Sequence, residues 1–171
     1  MTYDYDKLYA STPDALGPPT QIFVDFFEGQ KGANLSVLDV GCGQGRDALF
    51  VARAGHRVTG VDYAPSGIRD LTAAAEAEGL PITGRVADIT DYTPEQTFDV
   101  VLIDRTLHML DEAPRLCALE TLAGCVAPNG WLLIADETSN LPAFLEVLDA
   151  MSATWRTDLH KRGTLFLQRS S

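Results

Sequence analysis

Asp39, Gly41, Gly43 and Gly45 occupy alternate positions at the end of an apolar run, and a second acid, Asp62, ends the next apolar run. Glycine permits positive φ and lets the backbone approach a bound molecule closely. The stretch from Asp39 to Gly45 therefore has the composition of a ligand cradle in a strand-to-helix turn. The carboxylate at its mouth selects among ligands: it repels a pyrophosphate and attracts a group carrying positive charge. The dinucleotide pattern G-x-G-x-x-G also fails, because its sixth position is Arg46. Asp62 offers a carboxylate that can accept from two vicinal hydroxyls.

These residues need strands and helices to place them. From Leu35 onward, β-branched runs alternate with helical patterns, which is the signature of a parallel α/β sheet. Strands are expected over 36–40, 57–61, 82–87, 98–103 and 131–135. Arg46 opens a helix stopped by Gly55, and Pro65 opens another, with Ile68, Leu71 and Ala75 on one face and Gly79 at its end. Leu116, Leu119, Ala123 and Val126 make a further stripe, closed by a turn at Pro128-Asn129-Gly130. Ser139 or Asn140 caps a short helix through Met151. Lys161-Arg162-Gly163 reads as the turn of a final hairpin, with arms 154–160 and 164–168. In such sheets ligands lie beyond the carboxyl ends of the strands, and four acids fall there: Asp39, Asp62, Asp88 and Asp104.

The 171 residues suit one domain with a substantial core, and 46% hydrophobic with 22% charged residues is ordinary for a globular protein. A net charge of −11 argues against nucleic acid or an anionic membrane as partner, since both need a basic footprint. Cys42, Cys117 and Cys125 form no C-x-x-C pair and read as small buried residues of a reducing compartment. Cys42 lies inside the loop, the one place where a thiol could be accessible when the site is empty. The start of the chain lacks the basic and apolar regions of a leader, and no apolar stretch is long enough to span a bilayer, so a cytoplasmic location is expected. Residues before Thr20 read as an irregular lead-in with an aromatic-rich start (Tyr3, Tyr5, Tyr9).

The pattern D-x-G-x-G-x-G with Asp62 behind it resembles the S-adenosyl-L-methionine (SAM) loop of class I methyltransferases. Five βα units and a terminal hairpin are similar to their seven-stranded core over about residues 20–169. More narrowly, Gly41 to Phe50 followed by Gly55 to Asp62 resembles the tellurite-resistance and thiopurine methyltransferase group, which methylates small, soft sulfur, selenium or tellurium nucleophiles. The resemblance implies an α/β fold, a doubly wound, mostly parallel seven-stranded Rossmann-like sheet with a C-terminal antiparallel hairpin. It implies a methyltransferase domain over 20–171 behind a lead-in of 1–19 that could serve as a lid, with Tyr3, Tyr5 and Tyr9 lining it.

It also implies site residues. Asp39, Gly41, Cys42, Gly43 and Gly45 would hold the methionine part of SAM, with Arg46 at the helix start assisting its carboxylate. Asp62 would take the ribose, and Tyr63 and Ala64 would flank the adenine. Ala87, Asp88 and Ile89 would close the other side, Asp88 accepting from the adenine amino group and Ile89 packing on the ring. Asp104, Arg105 and Thr106 would lie beneath the sulfonium facing a small-molecule acceptor, the product being S-adenosyl-L-homocysteine. His108 joins them on the acceptor side as a possible base, since imidazole titrates near neutral pH. A soft anion needs no base, because proximity and orientation alone supply about 7–11 kcal/mol. His56 and His160 read as structural.

Other readings compete. A metal-dependent O-methyltransferase carries an acid after the fourth strand and an Asp-Asn pair after the fifth. Asp104 and Asp136 match, but Glu137 replaces the asparagine, with Asn140 further along; such oxygen ligands suit Mg²⁺. No other metal-ligand set is visible. Nucleic-acid amino-methyltransferases show Asn/Asp-Pro-Pro-aromatic after the fourth strand, where this chain has Asp104-Arg105-Thr106-Leu107. A SAM-binding protein without chemistry is the remaining alternative.

Overall fold

The first four β-branched runs become strands where the sequence reading expects them. The computed structural model describes residues 4–30 and 32–170, so Tyr3 of the expected lid lies outside the described residues. The chain divides into two compact units, Met1–Asp88 and Ile89–Ser171.

In the first unit, β1 (Ser36–Val40), β2 (Arg57–Asp62) and β3 (Ile82–Val86) are parallel, with β2 in the middle. The register sets Asp39 beside Gly60 and Val40 beside Val61, so the acid belongs to the last buried turn of the pleat. Between the strands lie α3 (Arg46–Arg53) and α4 (Pro65–Glu78). Pro65 opens α4, Gly79 closes it at φ +66°, and Ile68, Leu71 and Ala75 are buried as their spacing requires.

The lead-in is not irregular. Tyr5–Ser11 forms α1, started by Asp4, whose carboxylate accepts from the Lys7 N–H at 3.0 Å. Gln21–Glu28 forms α2, which the sequence reading passed over. Its signal is Phe23, Phe26 and Phe27 at helical spacing; Phe23 and Phe27 are fully buried. Phe27 lies against Phe50 and, at 5.4 Å between ring centres, against His56. His56 is itself completely buried, and its Nδ1 accepts from the Leu35 N–H at 3.1 Å. It is structural, as expected, and burial holds its imidazole below the ordinary range.

In the second unit, β4 (Phe98–Asp104) and β5 (Val126–Ala135) are parallel, while β7 (Thr164–Arg169) runs antiparallel to both β5 and β6 (Trp155–Lys161). Glu112–Gly124 forms α5 and Leu141–Ala150 forms α6. Val126 does not belong to the helical stripe; it begins β5, and Pro128-Asn129-Gly130 is a bulge in that strand rather than a turn before it. The register jumps from Phe98–Val126 to Val100–Trp131. Asn129 takes φ +62°, and a Cβ on Gly130 would stand 2.8 Å from the carbonyl oxygens of Ala127 and Asp99. Only glycine lets the bulge lie this close to its neighbours. Cys117 is exposed on α5 and Cys125 half-buried, so the expectation of three buried thiols fails for two of them. Leu119, Leu122 and Ala123 fill the inner face of that helix, which leaves Cys117 on the outer one.

The buried His56 makes stability depend on pH. Unfolded imidazole takes up a proton near pH 6.5, whereas the folded one resists it. The unfolded state then binds more protons below that pH, so stability falls as pH drops below about 6.5, by at most about 1.4 kcal/mol per pH unit for one group. Denaturant midpoints taken between pH 7.5 and 5.5 should decline, and His56→Gln, though weaker throughout, should flatten the decline.

Candidate functional site

The turn from β1 to α3 is built on three left-handed glycines, Gly41, Gly43 and Gly45, at φ +74°, +51° and +91°. The N–H groups of Gly41 and Cys42 both donate to the Val61 carbonyl, at 2.7 and 3.1 Å. Asp62 then holds the loop with its side chain: Oδ2 accepts from the Gly43 N–H and Oδ1 from the Ala64 N–H, each at 2.8 Å. The residue is 6% exposed. Burial pushes its pKa up, and the two backbone donors oppose that shift.

Gly43 and Gly45 admit no side chain. A Cβ on Gly43 would meet the Tyr9 hydroxyl oxygen at 2.5 Å, and one on Gly45 would meet Leu71 Cδ1 at 2.3 Å. Tyr9 is buried against the loop, and its phenol is pushed well up by burial and by the nearby Asp62 charge, so it stays neutral.

Residues that the sequence reading left without roles sew the N-terminal segment onto this loop. Gln44 Nε2 donates to the carbonyls of Thr12 (3.0 Å) and Tyr9 (3.4 Å) and to Asp70 (2.9 Å), while its Oε1 accepts from the Ala15 N–H at 3.0 Å. Asp47 accepts from the Thr20 N–H at 3.3 Å and from Arg46 at 2.9 and 3.1 Å. Asp6 accepts from the Ser66 N–H at 2.7 Å. No sequence period announces such contacts; the only hint was a glutamine and an acid in and just after a glycine loop.

The remaining expected residues of the first unit divide by exposure. Asp39 and Ala64 are buried, whereas Tyr63 and Asp88 are exposed. The Ala87 N–H donates to the Asp62 carbonyl at 3.0 Å, which continues β3 past its last paired residue. Cys42 is the one of the three thiols that is buried as expected. A Cβ on Gly60 would stand 2.8 Å from its Sγ, so the thiol packs against β2. Burial first, then the charges of Asp39 and Asp62, raise its pKa well above the ordinary range.

In the second unit Ile89 is buried, and Asp104 ends β4 with its side chain largely buried. Arg105 follows, exposed and left-handed at φ +52°, a conformation an arginine adopts only when its neighbours impose it. Its N–H donates to the Ala135 carbonyl at 2.8 Å. His108 lies in a short 3₁₀ turn (Leu107–Met109) and its N–H donates to Asp136 Oδ2 at 3.0 Å. Asp136 Oδ1 accepts from the Glu137 N–H at 2.8 Å and from Asn140 Nδ2 at 2.7 Å. That carboxylate, fully buried, serves three donors and is poorly placed to serve a cation as well. Among the described residues no group of three His, Cys, Asp or Glu side chains could hold a metal ion.

Residues 37–130 match a family model described as a methyltransferase domain. The chain is 31% identical over 141 residues to a 2-heptyl-1-hydroxyquinolin-4(1H)-one methyltransferase of Mycobacteroides abscessus, a match covering 80% of this chain and 62% of that protein. It spans about half to three fifths of the length of the first curated relatives it matches. Among solved structures it is similar to the N-methyltransferase NodS of Bradyrhizobium japonicum WM9 in complex with S-adenosyl-L-homocysteine, at 16% identity and a TM-score of 0.73, over 99% of this chain and 98% of that one. A TehB-like SAM-dependent methyltransferase of Corynebacterium glutamicum gives 22% identity and a TM-score of 0.73 over 96% of each chain. These likenesses establish the expected seven-stranded Rossmann-like fold.

The contrast between the cysteines gives a direct check on the loop's packing. At neutral pH iodoacetamide should label Cys117 readily and leave Cys42 unmodified until the protein is denatured, as read by peptide mass spectrometry.

Proposed function

Because the chain belongs to the methyltransferase-domain family, we propose that it transfers a methyl group from SAM to a small molecule, with the donor held by the loop that Asp62 pins. The observation that carries this reading is the pair of 2.8 Å hydrogen bonds from the Gly43 and Ala64 N–H groups to the buried Asp62 carboxylate. They fix the loop before any ligand arrives, so little ordering remains to be paid for on binding.

The residues suit the donor's chemistry. SAM brings an electrophilic methyl group on a positively charged sulfonium. Asp39 and Asp62 place two buried acids at the carboxyl ends of β1 and β2, which complements that charge. Each Asp62 oxygen accepts one backbone N–H and keeps a second lone pair for a ribose hydroxyl. The glycines leave the peptide edges of residues 41–45 bare, and Arg46 and the start of α3 favour the donor's carboxylate. Tyr63, Ala64, Ala87 and Asp88 are assigned to the adenine. The segment bearing Tyr5 and Tyr9 acts as a strap that keeps water from the loop. Asp104, Arg105 and His108 form the acceptor side.

The net charge of −11 supports a small-molecule acceptor rather than nucleic acid. Among the described residues no helix is long and apolar enough to cross a membrane, and a cytoplasmic location is part of this proposal. Two acceptor chemistries are supported from different sides. The narrower resemblance favours a soft sulfur, selenium or tellurium nucleophile, while the sequence relative from M. abscessus is named for a hydroxylated heteroaromatic.

Asp62→Ala removes hydrogen bonds to a charged group, each contributing about 1.5–3 kcal/mol. Calorimetry should therefore show SAM affinity reduced by about ten- to a hundredfold; unchanged affinity would remove the ribose and loop assignment. Gln44→Ala should free the strap, seen as faster proteolysis within residues 1–20 and weaker SAM binding, with the rest of the chain resisting the protease. Release of S-adenosyl-L-homocysteine in the presence of thiols, selenite, tellurite, amines or phenols separates an enzyme from a mere SAM-binding protein.

A further inference from the structure

The acid after β5 is not idle. Asp136 Oδ2 lies 3.8 Å from His108 Nδ1 while accepting the His108 backbone N–H at 3.0 Å. Asn140 donates to Asp136 Oδ1 at 2.7 Å and accepts from Arg115 Nη1 at 2.5 Å. Arg115, on α5, also donates through Nε to the Leu107 carbonyl (3.1 Å) and through Nη2 to the Leu110 carbonyl (2.7 Å). The 3₁₀ turn carrying His108 is thus clamped at both ends, and the acid beside it is fixed by an amide that the same arginine holds. A Cβ on Gly163 would stand 2.1 Å from the Asp136 carbonyl oxygen, so the hairpin turn also closes on this acid.

The clamp uses only the backbone of residue 108, which any amino acid would supply. The imidazole is surplus to it: its side chain keeps 28% exposure, whereas Asp136 has none. It stands at the carboxyl ends of the parallel strands β4 and β5, where ligands of α/β sheets bind. Nδ1 is within ion-pair reach of the carboxylate, at 3.8 Å; a proton carried there would point toward Asp136 and leave Nε2 as the acceptor, which is the arrangement of a general base with an orienting acid.

We propose that His108, oriented by Asp136 and positioned through Asn140 and Arg115, is the base for a weakly acidic hydroxyl acceptor, a phenol or an N-hydroxy heteroaromatic. The inference rests on the methyltransferase reading. The acceptor hydroxyl gives its proton to His108 Nε2 while its oxygen forms a bond to the methyl carbon. The S–C bond breaks with its electrons remaining on sulfur. A methyl ether and S-adenosyl-L-homocysteine leave, and the imidazolium returns the proton to water.

Two measurements test it, one of them independent of turnover. Long-range ¹H–¹⁵N spectra of the labelled protein should show His108 as the Nδ1–H tautomer, and Asn140→Ala should shift it toward the Nε2–H form; an Nε2–H tautomer in the unaltered chain overturns the proposal. Asn140→Ala is the variant of choice because Asp136→Asn threatens the loop itself. In turnover, His108→Ala should lower kcat on phenols by about 10²–10⁴-fold, far more than on thiols already ionised, and added imidazole should restore part of it. Equal losses on both acceptors, or turnover on thiols with none on hydroxyls, overturn the base assignment alone. No release of S-adenosyl-L-homocysteine with any acceptor overturns the underlying reading as well.

Discussion

The first unit depends on one buried acid receiving two backbone N–H groups. Asp62 ends β2 inside the fold, where its charge is costly, and the cost is offset by the Gly43 and Ala64 donors. Those donors are the middle of the glycine loop and the residue before α4. One side chain thereby ties the β1–α3 turn to the β2–α4 turn and fixes the spacing between two helix starts. Replace the carboxylate and both turns lose their common anchor. The same burial raises the pKa of Asp62 against the pull of its two backbone donors.

The glycines follow from this anchor. Drawn down onto Asp62, the loop leaves no room for a Cβ at Gly43, where the Tyr9 hydroxyl stands, or at Gly45, where Leu71 stands. The N-terminal strap is therefore part of the loop's packing and not an ornament laid over it. Gln44 shows how dense the arrangement is, since one amide serves the carbonyls of Tyr9 and Thr12, the Asp70 carboxylate and the Ala15 N–H together. Cys42 is spent in the same way, its thiol filling the space over Gly60.

What could be read from the sequence was whatever repeats or punctuates. The starts of the first four strands, the Pro65 and Gly79 bounds of α4 and the hairpin turn came from periodicity and from residues with restricted dihedrals, and they stand within a residue or two, whereas β5 begins five residues before its expected start. The family resemblance came from the acid–glycine–acid pattern. Two kinds of feature were invisible. Short helices such as α1 carry too few residues to show a period, and the bulge at Pro128-Asn129-Gly130 imitates a turn until its partner strand is seen. Contacts between distant residues leave no local trace either. Arg115, Asn140 and Asp136 are twenty or more residues apart in part, and nothing in their own neighbourhoods announces that they join.

Asp62 and Asp136 show why the residue type alone does not assign a role. Both end or follow a parallel strand, both are buried, and both accept backbone N–H groups. Their surroundings separate them. Asp62 accepts from two neutral backbone donors, one on each oxygen, and has a pKa that burial raises. Asp136 adds a side-chain amide, itself held by an arginine, and faces an imidazole. A buried carboxylate short of donors attracts a ligand, whereas one supplied with them becomes a fixed point from which another side chain is aimed. The metal reading treated Asp136 as the first kind. Its three hydrogen bonds fit the second better, and on the proposal made above that acid orients a base.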